Sequence, residues 1–388
     1  MNSRLPLKPL LILTAVYYMS FLSRIIIAPL LPLLEVEFDL RHSQAGGLFL
    51  FIAVGQCLGF LASGIVSSRL THRFTIFASG IIVGGAMLAT SHSKAAPDIC
   101  RWLFLLGLGE GLYFPSGIAV LTELAAKEDW GKAMAIHELA PNLALVTAPL
   151  LAEALLLVVS WRGVMITLSI SALLLGLGFL RWGRGGNQRG TPPKPRKMME
   201  ILREPQFWVV AAAFAFALGA ADGLYAILPL FLVDEIGLER QFANTIIGLS
   251  HISGVFIIFF SGVVTDRIGA RRSVAIFTGA TAASTLMLGV FRGSLLTPAL
   301  VFLQATSVAC FFPPALVIAS LTFPSTVRNL ALSLVLITGI LFGEGVMPPT
   351  AGYLAEAVSF PFAICFVGTL VLSVLGLLFF LPPSPDGD

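Results

Sequence analysis

The chain has 388 residues, 57% of them hydrophobic and only 12% charged, with a net charge of +3. An average soluble domain carries about 25% charged residues, so this composition excludes a water-soluble globule, and so small and scattered a charge excludes an electrostatic nucleic-acid binder. The excess apolar surface needs lipid as its solvent.

A hydrocarbon core about 30 Å thick takes roughly 20 apolar residues as a helix. Twelve such runs follow one another, over 9–33, 45–68, 74–91, 101–124, 132–159, 163–181, 206–233, 242–265, 273–291, 296–322, 329–354 and 361–382. They are continuously apolar rather than alternating, which selects helices over a membrane barrel. The expected class is therefore an all-α polytopic membrane protein with twelve transmembrane helices in two pseudo-symmetric six-helix bundles. The first run is too long for a signal h-region and no small-residue cleavage site follows it, so no signal peptide is expected.

A charge at the bilayer centre costs about 2.5–3.5 kcal/mol, which makes each intramembrane ionisable group a functional candidate. Span 1 carries Arg24, with Tyr17 and Ser20 on the same helical face. The guanidinium stays charged and offers a planar fork that suits a carboxylate. Arg24 is thus a candidate anion receptor, or else half of a structural bridge to Asp222 or Glu138. Span 4 holds Glu110 within Gly107-Leu108-Gly109-Glu110-Gly111, with Tyr113 one turn on, and its glycines permit close backbone approach. Span 5 holds His137 and Glu138, with Asn142 one turn further on the Glu138 face. Glu110, His137 and Glu138 are the candidates for proton coupling, and the two carboxylates stand level.

The polar stretch from Arg181 to Glu204 contains Gly185-Gly186-Asn187, Pro192-Pro193-Lys194-Pro195 and seven basic residues. It reads as a flexible cytoplasmic linker, within which residues 198–203 can form a short interfacial helix. The expected organisation is an amino-terminal bundle over 1–182, a linker over 183–205 and a carboxy-terminal bundle over 206–388. In the second bundle, Asp222 and Tyr225 share a face of span 7 and complete the candidate substrate site. His251, Glu344, Gln56 and Gln304 are weaker candidates, since lone polar side chains here more often join helices. Spans 3, 6, 9 and 12 carry no Asp, Glu, Lys, Arg or His away from their ends. The four cysteines lack metal-type spacing, so neither a metal, a cofactor nor a disulfide is expected.

Basic residues set the orientation. With the amino terminus inside, only Arg41, Lys94, Arg101, Arg162, Arg240 and Arg292 of the 24 Lys and Arg lie outside, and Arg24 lies within the bilayer. Both termini are therefore expected in the cytoplasm, in a bacterial inner membrane.

The two halves match at a constant offset of 198 residues. Gly64-Ile65-Val66-Ser67-Ser68-Arg69 aligns with Gly262-Val263-Val264-Thr265-Asp266-Arg267, and Tyr113-Phe114-Pro115-Ser116 with Phe311-Phe312-Pro313-Pro314. A duplicated six-helix unit is a transporter architecture with a site near the midplane between the repeats.

Gly262-Val263-Val264-Thr265-Asp266-Arg267-Ile268-Gly269-Ala270-Arg271-Arg272 resembles the signature loop of the major facilitator superfamily, G-x-x-x-D-R-x-G-x-R-R. The first-half copy departs from it, with Ser68 for the aspartate and Thr71 for the glycine. The resemblance implies a gating role for Asp266, Arg267, Arg271 and Arg272, which latch the cytoplasmic side. It also implies that spans 1, 4, 7 and 10 line a cavity while 3, 6, 9 and 12 face lipid, as the charge distribution does here. The span-4 stretch from Arg101 through Gly107–Ser116, the Ser160-Trp161-Arg162 after span 5 and Leu22-Ser23-Arg24 are similar to motifs of the anion–cation symporter family, although Ser23 replaces that family's aspartate.

The expected function is secondary active transport of a small organic anion, a carboxylate or sugar acid, by alternating access with proton coupling. Partners are then the substrate, a coupling proton or other cation, and membrane lipid, with a monomer expected. The alternative is multidrug or lipophile efflux by proton antiport. Against it, Asn142-Leu143-Ala144-Leu145-Val146-Thr147-Ala148-Pro149 keeps the proline of the antiporter motif but not its glycines. An enzyme is not expected, since no nucleophile–base pairing, metal cluster or phosphate loop is evident.

Overall fold

Every regular element among the described residues is helical. The computed structural model describes residues 6–192, 195–291, 293, 295–324 and 326–380. Arg292, Pro193, Lys194 and the last two residues of the twelfth predicted span lie outside them. Among the described residues, 11 helices are long and apolar enough to cross a membrane, or 12 with the bent α8. In the first half they are α1 (Leu7–Phe38), α2 (His42–Arg69), α3 (His72–Ser91), α4 (Ala96–Leu124), α5 (Lys127–Leu156) and α6 (Trp161–Trp182). The second half has α7 (Pro205–Glu235), α8 (Arg240–Ile268), α9 (Ala270–Val290), α10 (Leu296–Thr322), α11 (Arg328–Ala357) and α12 (Phe360–Phe380).

Prolines explain the local irregularities. α1 breaks at Ile26, where Pro29 cannot donate to the carbonyl of Ile25 and its ring pushes that carbonyl aside. α11 widens into a π turn over Ile340–Val346, directly before Pro348-Pro349. α7 carries a π turn over Gly219–Gly223. Such turns release backbone carbonyls that other groups must satisfy.

The chain divides into two compact units, Met1–Leu30 with Phe51–Pro193, and Leu31–Leu50 with Lys194–Asp388. In the first unit, α2 and α4 cross backbone to backbone. A Cβ on Gly55 would run into the Phe104 carbonyl oxygen, and one on Gly107 into that of Ile52. Gly59 and Gly111 repeat the arrangement one turn on. Glycines four apart on both helices are what permits this approach.

The linker departs from the flexible segment the sequence suggests. Gly185 and Gly186 both adopt φ of 76°, a turn that glycine makes without strain, and this lays the chain on the first unit. The amides of His72 and Arg73 at the start of α3 donate to Gln188 (3.2 Å) and Gly186 (2.8 Å), and Gly190 N–H donates to Ser67 O (3.2 Å). The Glu123 carboxylate accepts from Gly186 N–H at 2.8 Å. The linker's end forms a helix over Pro195–Leu202 with Ile201 buried.

The duplication survives as matched hydrogen bonds. Arg73 donates to Leu180 O in the first unit and Arg271 to Leu378 O in the second, each pair 107 residues apart. Ser63 donates to Leu112 O and Ser261 to Cys310 O, each 49 apart. At the glycine position of the signature loop, Gly269 has φ 86° while Thr71 is held at 135°. A β-branched residue there is strained by about 1–3 kcal/mol. Thr71→Gly should therefore stabilise the protein by about 1 kcal/mol, since glycine replaces a capping side chain at a cost of only a few tenths. Thermal unfolding of the purified protein checks this: Thr71→Gly should raise the midpoint and Thr71→Ala should not.

In the second unit, the Leu31–Leu50 stretch packs on the end of α11. Ser43 N–H donates to the Glu356 carboxylate at 2.6 Å, and the His42 ring meets Phe360 at 4.8 Å. α7 and α11 cross at their π turns. A Cβ on Gly223 would stand 2.5 Å from the Gly343 carbonyl oxygen, and one on Gly343 equally close to that of Ala215.

Candidate functional site

The first unit gathers Arg24, Tyr17, Tyr113, Glu110, His137 and Glu138. Arg24 and Glu110 are 3% and 4% exposed, and Arg24 Nε donates to Glu110 Oε1 at 3.2 Å. The guanidinium also lies 4.4 Å from the centre of the Phe21 ring. Removing one member of so buried a pair costs about 3–5 kcal/mol, because the other charge stays uncompensated. The bridge suggested for Arg24 thus includes Glu110, one of the carboxylates considered for the proton.

Nearby, the Tyr17 ring lies against two rings that sit side by side, 6.0 Å apart and within 4° of parallel. It stacks on Tyr113 (5.2 Å, 7° between planes) and on His137 (4.4 Å, 10°). The Tyr113 hydroxyl donates to Leu13 O at 2.9 Å. Having one proton, it then accepts from His137 Nε2–H at 3.0 Å. His137 Nδ1 in turn faces Glu138 Oε1 at 3.3 Å. With Nε2 protonated, that contact is a hydrogen bond only if one more proton sits on Nδ1 or on the carboxylate. His137 is fully buried, while the Glu138 side chain is 44% exposed.

Two predicted residues do not join the cluster. Ser20 lines a void of about 10 Å³ with Ser79 and Gly80 of α3 and Ala172 of α6. The hydroxyls of Ser20 and Ser79 have no hydrogen-bond partner among the described residues, and the void approaches the size of one water. Asn142 donates to the Glu138 carbonyl at 2.9 Å, across the α5 turn that contains Pro141.

In the second unit, Asp222 lies in the α7 π turn, half-buried, and the Tyr225 ring meets His251 edge-on at 5.3 Å. Gln304 of α10 donates to Ala220 O at 2.8 Å, a carbonyl within the π turn. This role for Gln304 was not legible in the sequence, because nothing local announces a π turn. Glu344 is buried in the α11 π turn. In the signature loop, Asp266, Arg267 and Arg272 are exposed, and Arg271 ties α9 to the end of α12 through Leu378 O at 3.0 Å. Sequence reasoning also passed over a polar cavity of about 330 Å³ beneath the linker, lined by Ser63, Ser67, His72, Arg189 and Thr191.

A family model described as Major Facilitator Superfamily matches residues 13–294 and 222–388. The probable nitrate transporter NarT of Staphylococcus epidermidis is 22% identical over 283 residues, covering 71% of each chain. The probable sulfoacetate transporter SauU of Cupriavidus necator is 22% identical over 281 residues, 67% of this chain and 65% of that one. Among solved structures, a D-xylose-proton symporter superposes with a TM-score of 0.81 at 15% identity, covering 99% of this chain and 100% of that one.

Proposed function

The chain belongs to the major facilitator superfamily, and from that premise we propose that it carries a small organic anion, coupled to protons, with Arg24 as the anion receptor. As a member it is a multi-pass membrane transporter and not an enzyme. The observation that carries the reading is the buried Arg24–Glu110 pair. A cation that meets a carboxylate at depth is a site that a substrate carboxylate or sulfonate can enter by exchange. The names of the relatives support anions as the substrate class.

In this reading Glu110 occupies the guanidinium between cycles, and the coupling proton resides on the His137–Glu138 pair. Tyr17, stacked over His137 and Tyr113, holds the imidazole in place. Asp222 and Tyr225 are further proposed substrate-binding residues, and Asp266 with its neighbouring arginines gates the cytoplasmic side. The membrane is a bacterial inner membrane, with both termini in the cytoplasm.

Proteoliposomes test it. An imposed inward proton gradient should drive accumulation of one or more of a panel of small carboxylates, sulfonates and sugar acids. Glu138→Gln should lose gradient-driven accumulation by about tenfold or more while keeping substrate counterflow, since general proton transfer by one positioned group is worth about 10²–10⁴-fold. Accumulation that ignores pH in the wild type would sink the coupling. Uptake only of lipophilic cations would sink the anion.

A further inference from the structure

We infer that Glu35, His42 and Asp234 form a binding site for a divalent transition-metal ion, zinc being the ion that their donors fit. It rests on neither Arg24 nor proton coupling. Each side chain offers one ligand atom, and the three atoms lie within 4.8 Å of one another. Around a tetrahedral zinc with bonds of about 2.0–2.2 Å, ligand atoms stand about 3.4 Å apart. The 3.0 Å between His42 Nδ1 and Glu35 Oε1 is already close to that spacing, and small side-chain rotations bring in the third donor.

α1, α2 and α7 supply one donor each. After α1 ends at Phe38, Asp39 takes a left-handed φ of 51°, which aspartate tolerates, and Leu40 N–H donates back to Glu35 O at 3.1 Å. That turn brings Glu35 and His42, seven residues apart, face to face. The His42 ring rests on Phe360, and the next amide, Ser43 N–H, is held by the Glu356 carboxylate. Asp234 comes from the π turn over Phe231–Glu235 that ends α7. All three donors belong to the second unit.

The charges ask for more than a proton. Glu35, Asp234 and Glu356 all act on the one imidazole, and a protonated His42 neutralises only one of them. Glu35 takes the His42 hydrogen bond, while the Asp234 carboxylate forms no hydrogen bond or ion pair among the described residues. A divalent ion with a neutral imidazole and two carboxylates leaves no net charge. The ion takes the place of the proton between Nδ1 and Glu35 Oε1, which leaves to solvent. Imidazole favours zinc and its neighbours in the transition series over magnesium and calcium, which prefer all-oxygen sites. The fourth position is open to water, because Asp234 is exposed. Bound there, the ion ties the turn between α1 and α2 to the end of α7, and so holds the Leu31–Leu50 stretch on the second unit. Cysteine spacing could not announce such a site, because its donors are oxygen and imidazole from segments far apart in the chain.

The test uses the full chain, purified in detergent without a histidine tag and freed of metal by a chelator, and measures Zn²⁺ binding by isothermal titration calorimetry. The wild type should bind one Zn²⁺, and Asp234→Asn, His42→Ala and Glu35→Gln should each weaken that binding by about tenfold or more, since removing even an outer partner of a metal ligand does as much. Asp234 is exposed, so Asp234→Asn should keep the metal-free thermal midpoint, and it decides the matter if the other two variants fold poorly. His92→Ala, at an exposed histidine of the first unit, should bind as the wild type does. Co²⁺ in place of Zn²⁺ should give a visible absorption band that Asp234→Asn lacks. Equal Zn²⁺ affinity in the wild type and Asp234→Asn, or displacement of Zn²⁺ by Ca²⁺ at the same concentration, overturns the site. None of these readouts depends on transport through Arg24.

Discussion

Arg24→Ala should abolish substrate binding and lower transport by about 100-fold or more, the largest functional effect expected of any single substitution in this chain. Charge-assisted hydrogen bonds contribute about 1.5–3 kcal/mol each, and a guanidinium can make two in parallel to one carboxylate. Each 1.4 kcal/mol is a factor of ten in affinity. The substitution also strands Glu110, 4% exposed, without its partner at 3.2 Å. Loss of function alone would therefore not separate a receptor from a structural bridge. Arg24→Ala combined with Glu110→Gln removes both charges and relieves the stranded carboxylate. That double variant should recover thermal stability and still fail to transport. Thermal shift against carboxylates, sulfonates and sugar acids reads binding directly, since a ligand at 100 times its Kd stabilises the native state by about 2.7 kcal/mol. The wild type should shift with at least one anion, and the double variant with none. Transport restored in the double variant would make Arg24 a structural residue.

Gly107→Ala and Gly111→Ala should each destabilise the first unit by about 3 kcal/mol or more, the upper end of overpacking effects, because the added methyl meets backbone rather than a movable side chain. A Cβ on Gly111 would stand 2.8 Å from the Phe60 nitrogen and closer still to the Gln56 carbonyl oxygen. On Gly107 it would stand 2.8 Å from the Ile52 carbonyl carbon. Neither helix can retreat cheaply, because Gly55 and Gly59 of α2 press on α4 in the same way. Gly85 of α3 is the control, with nothing within 4 Å of its added Cβ. Monodisperse yield and the thermal midpoint check the pair. Both should collapse in the α4 variants and hold in Gly85→Ala. Equal behaviour of all three would mean that α2 and α4 do not cross at these glycines.

The glycine crossing and the charge census show what was readable. Gly107-Leu108-Gly109-Glu110-Gly111 announced close packing from spacing alone, because a missing side chain on a helical stripe has one common use in lipid. Arg24 stood out for an equally local reason: its transfer cost flags it whatever surrounds it. Partners were another matter. The sequence offered Asp222 and Glu138 for Arg24, and Glu110 meets it in the structure. Ser20 lay on the helical face of Arg24 by spacing, yet it packs toward α3 and α6, since a side chain's neighbours depend on which helices flank it. The linker's composition read as flexible, and no pattern of prolines and arginines could reveal that its carbonyls would meet the free amides of α3.

By itself, then, the sequence determined the solvent, the helical class, the span positions and the duplication, because each follows from the hydropathy of contiguous residues or from the chain compared with itself. The repeat is written deeply enough that Arg73–Leu180 and Arg271–Leu378 recur at one spacing. Only the tertiary structure decided that Tyr17 stacks over Tyr113 and His137, that the His137 ring faces the Glu138 carboxylate, that Leu31–Leu50 packs with the second unit, and that the linker roofs a polar cavity. These depend on distances between helices far apart in the chain. They are set by how glycines, prolines and π turns let backbones approach, a geometry that no local period encodes.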